Sequence, residues 1–110
     1  MSYYITKTVE SNFEDTLERA TAALKEQGFG VLTDIDVQTT LKKKLNVDFR
    51  KYHILGACNP PFAYQALQAE DKIGVLLPCN VILQETADGG VEVSAMDPAE
   101  AMGMIDNPHL

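Results

Sequence analysis

The strongest constraint on the fold is an apolar pattern with helical spacing that ends at a glycine. Its residues recur three or four positions apart, the spacing of one helix face, and they are Phe13, Leu17, Ala20 and Leu24. Ser11 and Glu14 stand three positions apart at its start, as in a capping box, and Gly28 follows as a C-terminal stop. The sequence therefore predicts a first helix that starts after Ser11 and stops at Gly28.

Alternating and β-branched patterns predict five strands around this helix. They run from Tyr3 to Val9, Phe29 to Val37, Lys51 to Cys58, Ile73 to about Gln84, and Val91 to Met96. The turn residues at 87–90 predict that the last two strands form a hairpin. In the second strand, Asp34 and Asp36 alternate with apolar residues, which predicts a polar face there.

Three shorter helices complete the predicted elements. Leu41 and Leu45 mark one that carries lysines, and another starts at Pro98. Asn59 is the natural N-cap of a third, which opens at Pro60. A chain of 110 residues with 45% hydrophobic content can bury one core. The economical fold is a single α+β domain over residues 1–110, with one antiparallel sheet and helices on one side.

Charge and composition exclude several classes of function. The net charge of −7 repels a phosphate backbone, so no nucleic-acid partner is expected. Proline and asparagine interrupt the longest apolar run, Ile73 to Leu83, so no membrane span is expected. The first residues lack the apolar stretch of a signal peptide and there are only two cysteines, which favours a reducing cytoplasm.

The charges are unevenly distributed along the chain. Residues 1–72 carry ten acids and nine bases, whereas residues 73–110 carry six acids and no base. Five bases cluster within ten positions: Lys42, Lys43, Lys44, Arg50 and Lys51. The cluster fits an anionic ligand or the acidic surface of a second subunit, and it equally fits a solvated face.

A repeated dipeptide marks the candidate functional site. Cys58-Asn59 precedes a proline pair and Cys79-Asn80 follows Pro78, and these are the only cysteines of the chain. Two thiols in such similar settings indicate one shared site, since cysteine brings reactivity and affinity for soft metals. Asp36 and Tyr52 are further candidates for the lining of the same pocket.

Each cysteine also has a structural interpretation. Cys58 stands just before the predicted N-cap of a helix, where the helix dipole should stabilise a thiolate and lower its pKa if the thiol points along the helix axis. A small buried residue at a strand end fits equally well. Cys79 shares strand parity with Ile73, Val75, Leu77, Val81 and Leu83, which predicts a core position. A bulge at Pro78 would redirect its side chain.

Metal and cofactor motifs are not found. Two cysteines and two histidines match the ligand count of zinc, but the short paired spacing of zinc ligands is missing. Gly28 and Gly30 lie between a helix and a strand, the reverse of a dinucleotide fingerprint. We therefore predict no metal and no cofactor.

Several segments in chain order resemble the family called domain of unknown function 302. They are the runs 28–37, 52–60 and 76–81, with Lys44, Leu45 and Ala63 between them. The resemblance implies a fold like that of the TATA-box-binding protein, with a curved antiparallel sheet backed by helices, and it implies homodimers. DNA binding does not follow from it, because a fold does not fix a function.

Two functions of different classes fit these features. The first is a homodimeric module that binds a small ligand without turnover, in a pocket near the two Cys-Asn motifs. The second is a thiol-dependent protein that carries sulfur or senses oxidation through Cys58, with Cys79 as its resolving partner. The sequence favours the first function, because it puts both thiols near apolar strands.

Overall fold

The computed structural model describes residues 3–97, 103, 105 and 107. Five strands form one open antiparallel sheet in the order β1-β5-β4-β3-β2. The strands are β1 (Tyr4–Val9), β2 (Gly30–Asp36), β3 (Tyr52–Cys58), β4 (Cys79–Glu85) and β5 (Val91–Met96). The helices are α1 (Phe13–Glu26), α2 (Val37–Leu45) and α3 (Pro60–Ala69), and a 3₁₀ segment (Asp71–Leu76) follows α3. This confirms the predicted α+β class.

Helix α1 packs its apolar stripe on one side of the sheet, which we call the covered face. Phe13 joins a buried cluster with Leu55, Val81, Leu83 and Val91, and the remaining stripe residues of α1 pack against this cluster. Each buried side chain contributes about 1.5–3 kcal/mol relative to an exposed one. The predicted helical stripe is thus confirmed as the contact that holds α1 to the sheet.

The predicted capping box of α1 is wrong by one residue. The N-cap is Asn12, not Ser11, and its Oδ1 accepts a hydrogen bond from the Asp15 backbone N–H at 2.8 Å. Asn and Ser are comparable caps, so local sequence does not separate them. The predicted stop is confirmed, because Gly28 has a φ of +85°, where side chains are strained.

Asp34 and Asp36 share one face of β2, as predicted, but this face lies on the covered side of the sheet. Asp34 pairs with Leu55 and Asp36 with His53, and both partners lie on the covered face. A register shift between Val31 and Thr33, which marks a bulge, moves the aspartates to that side. Asp36 then caps α2, accepting a hydrogen bond from the Thr39 backbone N–H at 3.0 Å.

Strand β4 starts six residues later than predicted, at Cys79 rather than Ile73. Ile73 is buried but lies in the 3₁₀ segment, and Val75 in the same segment is 85% exposed. The predicted common face therefore holds only for the part of the run that begins at Cys79. A cis Leu77–Pro78 peptide bond separates the two parts.

Two further predictions, the cap of α3 and the last hairpin, are confirmed, and one lies outside the described residues. Asn59 caps α3, with its Oδ1 accepting from the Phe62 backbone N–H at 3.2 Å, and β4 pairs with β5 as predicted. The helix predicted from Pro98 lies outside the described residues. Among the described helices, none has the length and apolarity needed to cross a membrane.

Candidate functional site

A cleft lies on the side of the sheet opposite α1, which we call the open face. It encloses about 460 Å³, within the usual range for ligand sites. Its lining residues are Tyr3, Tyr4, Tyr52, Asn80, Ile82, Gln84, Glu92, Ser94, Ala95 and Met96. Strand pairing brings together the lining residues of β1, β3, β4 and β5, and Tyr3 directly precedes β1.

One row of paired residues crosses the whole open face. Its members, from β1 to β2, are Thr6, Ser94, Ile82, Ile54 and Ile35. The hydroxyls of Thr6 and Ser94 are hydrogen-bonded to each other. The row is thus polar at the β1 end and apolar toward β2, and Ile35 remains 48% exposed.

A chain of polar side chains orders the β3 end of the cleft. Arg50 Nε donates to Gln84 Oε1 at 2.8 Å, and this contact fixes the orientation of the amide. Gln84 Nε2 can then donate to Glu92 Oε1, at 3.3 Å, and Ser94 Oγ donates to the same oxygen at 3.5 Å. The Glu92 carboxylate is therefore held in place by two long hydrogen bonds.

Aromatic rings stand at both ends of the cleft. The rings of Tyr3 and Tyr4 meet edge to face, with centroids 5.1 Å apart. At the other end, the Arg50 guanidinium carbon lies 4.4 Å from the Phe49 ring centroid and 5.6 Å from that of Tyr52. These distances are within the range of a cation–π interaction.

The two cysteines lie at one end of adjacent strands. Cys58 is the last residue of β3, and Cys79, the first of β4, pairs with Ala57. Both thiols are free and half-buried. Consecutive strand residues point to opposite faces, so Cys58 is on the open side and Cys79 on the covered side. Burial raises the pKa of the Cys79 thiol, and the charge of Cys58 adds to this effect.

Asp36 belongs to a second polar group, on the covered face. His53 Nδ1 lies 2.6 Å from Asp34 Oδ1, and His53 Nε2 lies 3.7 Å from Asp36 Oδ2. Hydrogen bonds from Thr39 lower the pKa of the Asp36 carboxyl, and the charge of His53 contributes. No group of three or more potential metal ligands occurs within residues 3–97, 103, 105 and 107.

Comparison with known proteins identifies the family. The family model described as domain of unknown function DUF302 matches residues 5–110. The chain belongs to the DUF302 family. The DUF302 chain is also similar to the crystal structure of an uncharacterized conserved DUF302 protein from Bacillus stearothermophilus. The TM-score is 0.90 at 30% identity, over 98% of this chain and 84% of the other. No curated protein matches the sequence of this DUF302 chain.

The structure of this DUF302 chain divides the six candidate site residues. Tyr52 and Asn80 line the cleft. The other four lie elsewhere: Cys58 and Cys79 at the strand ends, and Asn59 and Asp36 as helix caps. The lining residues of β1 and β5, above all Glu92 and Tyr4, were not predicted from the sequence. Their signal was their alternation in predicted strands, but only the register brings them beside β4.

Proposed function

We propose that this DUF302 protein is a homodimeric small-ligand-binding module of the cytoplasm, with its ligand site in the open cleft. The observation that carries the proposal is the cleft itself, where an apolar floor meets a few ordered polar groups and aromatic rings. Ligand sites have this composition, with mostly apolar walls and few polar groups that fix orientation. The two free thiols are compatible with a reducing compartment.

A different surface supports the dimer. Helix α3 and the 3₁₀ segment expose four large apolar side chains: Phe62, Tyr64, Leu67 and Val75. Large apolar side chains exposed on two elements that contact each other are typical of protein interaction sites. We propose that a second copy covers them, and that the basic cluster of one subunit faces the acidic residues 73–110 of the other. Such rim charges tune specificity and association rate.

Two matched tyrosine variants test the ligand site and the dimer separately. Tyr52→Ala should abolish the chemical-shift changes that 4-phenylbutan-1-ol produces at cleft residues, and should leave the sedimentation coefficient unchanged. Tyr64→Ala should preserve those chemical-shift changes and lower the apparent mass in sedimentation. If the unmodified chain sediments as a monomer at tens of micromolar, the proposed dimer is wrong. If both variants bind the ligand equally well, the cleft is not the ligand site.

A thiol-dependent sulfur-carrying or redox-sensing function is the second candidate. The observation that favours it is the position of Cys58 and Cys79 on adjacent strand ends, both as free thiols. Two features weigh against it. The raised pKa of Cys79 disfavours its thiolate, and strand parity points the two side chains to opposite faces. If the thiols act as a resolving pair, mild oxidation of the native protein should produce an intramolecular disulfide.

A further inference from the structure

We propose that the open cleft selects elongated organic cations, in which an ammonium group contacts Glu92 and an apolar body lies over Ile82. This inference rests on the proposed ligand-binding function and names its ligand class. Among the lining side chains that the structure describes, Glu92 is the only carboxylate, and none carries an ammonium or guanidinium group. A bound anion would meet this carboxylate as a like charge, and the Arg50 guanidinium nearby is already bonded to Gln84 Oε1, which disfavours anions.

The hydrogen bonds around Glu92 support the choice of an ammonium group. The two donors to Oε1, from Gln84 and Ser94, lie at 3.3 and 3.5 Å, longer than charge-assisted bonds of about 2.7–2.9 Å. A carboxylate offers about four acceptor positions on its two oxygens. Glu92 therefore retains capacity for a stronger donor, and an ammonium group supplies up to three N–H bonds.

The charge of the chain around the cleft favours the same ligand class. The Arg50 guanidinium carbon lies 5.6 Å from the Tyr52 ring centroid, so this ring already has a cation beside it, and the ammonium group of a ligand binds at Glu92 instead. The six acids and absent bases of residues 73–110, which include β4 and β5, add a negative field that concentrates cations near the cleft.

The length of the cleft determines the shape of the ligand. Tyr4 pairs with Met96 at one end, and Thr8 pairs with Glu92 four positions further along β1. Four strand positions span about 13 Å. A ligand whose ammonium group reaches Glu92 therefore needs an extended apolar body to contact Tyr4 and Met96 at the far end.

Three probes with one body and different head groups test the inference: 4-phenylbutylamine, 4-phenylbutan-1-ol and 4-phenylbutanoate. Dissociation constants are measured on the full chain from the chemical shifts of cleft residues. We expect the amine to bind about tenfold more tightly than the alcohol, the effect of one charge-assisted hydrogen bond, and the carboxylate to bind most weakly. High salt should weaken binding of the amine and leave the alcohol unchanged.

Two matched variants test whether Glu92 causes the preference for the amine. Glu92→Gln should reduce the affinity for the amine to that for the alcohol. Glu85→Gln, in the same hairpin but paired with Val91 of the covered core, should leave all three affinities unchanged. An unchanged preference for the amine in Glu92→Gln would overturn the inference, as would an amine affinity independent of salt in the unmodified chain.

The same binding measurements separate the preference for cations from the proposed ligand-binding function. If the alcohol or the carboxylate binds in the cleft at least as tightly as the amine, the cation class is wrong and the binding module stands. If none of the probes shifts the cleft residues at millimolar concentration, both are wrong. Cleft signals that move with protein concentration alone would show that a second copy occupies this face, and would also overturn the inference.

Discussion

The two faces of the sheet use the same kinds of apolar residue but bury them very differently. On the covered face Leu55, Leu83 and Val91 are at most 1% exposed beneath α1. On the open face Ile82 is half-buried and Ile35 is 48% exposed. The covered face therefore contributes more hydrophobic free energy to folding than the open face does. The open face keeps apolar surface available for binding, because α1 packs on the opposite side of the sheet.

The largest expected effect compares one residue from each face. Leu83→Ala should lower the free energy of unfolding by about 3 kcal/mol, because it leaves a cavity under α1 at a side chain with no exposure. Ile35→Ala should cost about 0.5 kcal/mol, as for an ordinary surface change. Urea denaturation measures both. If both variants lose similar amounts of unfolding free energy, the open face is also buried in solution, and the two faces do not differ as described.

The next effect comes from Gly56, a crowded position on the open face. A Cβ added at Gly56 would overlap the Thr33 hydroxyl and lie 2.7 Å from Pro78 Cγ. The hydroxyl can rotate, but the proline ring has little freedom. Gly56→Ala should therefore cost about 2 kcal/mol, as overpacking does.

Gly74 is the control for this substitution, because a Cβ there meets nothing within 4 Å. Gly74→Ala should change the urea midpoint little. If Gly56→Ala proves as mild as the control, the end of the sheet near Pro78 is looser than its packing implies.

A smaller effect belongs to the polar edge of the covered face. Asp36→Ala should cost about 1 kcal/mol, because it removes the N-cap of α2, whereas Asp36→Asn keeps a capping oxygen and should cost a few tenths. The pKa of Asp36 is lowered in the folded protein, chiefly by its hydrogen bonds from Thr39. Its contribution is therefore complete above the pKa of an unfolded aspartate, about 3.9, and is lost as pH falls through the lower folded value.

Urea denaturation at pH 6 and at pH 2.5 checks this sign. The difference in stability between the unmodified protein and Asp36→Asn should shrink at the lower pH, because only the unmodified chain loses a charge at this position. A difference that grows at low pH would contradict the assignment of the Thr39 contacts to the ionised carboxylate.

The elements that the sequence predicted correctly depend on local chemistry. The stripe of α1, the stop at Gly28 and the cap at Asn59 each follow from a few neighbouring residues. The errors arise where local rules are degenerate or a distant contact decides. Ser11 and Asn12 are both good caps, and an apolar run from Ile73 fits a strand or a helical turn equally well.

The candidate site was less predictable than the fold, because it depends on register. Tyr52 and Asn80 were identified from their own strands, and they line the cleft. Glu92 lies beside Gln84 only through the pairing of β4 with β5, and Tyr4 joins only through the pairing of β1 with β5. A shift of one residue would send each side chain to the other face, and no short motif in the chain specifies that register.

The smallest expected effect compares the two cysteines, which lie at the same end of the sheet but point to different faces. Burial raises the pKa of Cys79 on the covered side, so little of its thiol is ionised near neutral pH. Cys58 lies on the open side, directly before the N-cap of α3. Because the thiolate is the nucleophile, iodoacetamide should alkylate Cys58 severalfold faster than Cys79 at pH 7.5, measured by mass spectrometry of the native protein.

Raising the pH should narrow the difference in labelling rate between the two cysteines. The pKa of Cys79 is raised, so its thiol ionises mainly in alkaline solution. Cys58→Ser should leave the slow labelling of Cys79 in place, apart from a small increase, since the repulsion between the two thiolates is removed. Faster labelling of Cys79 than of Cys58 would reverse the assignment of faces. Equal labelling of both only after unfolding would make both cysteines structural, and the thiol-dependent function would then be excluded in favour of binding through the open face.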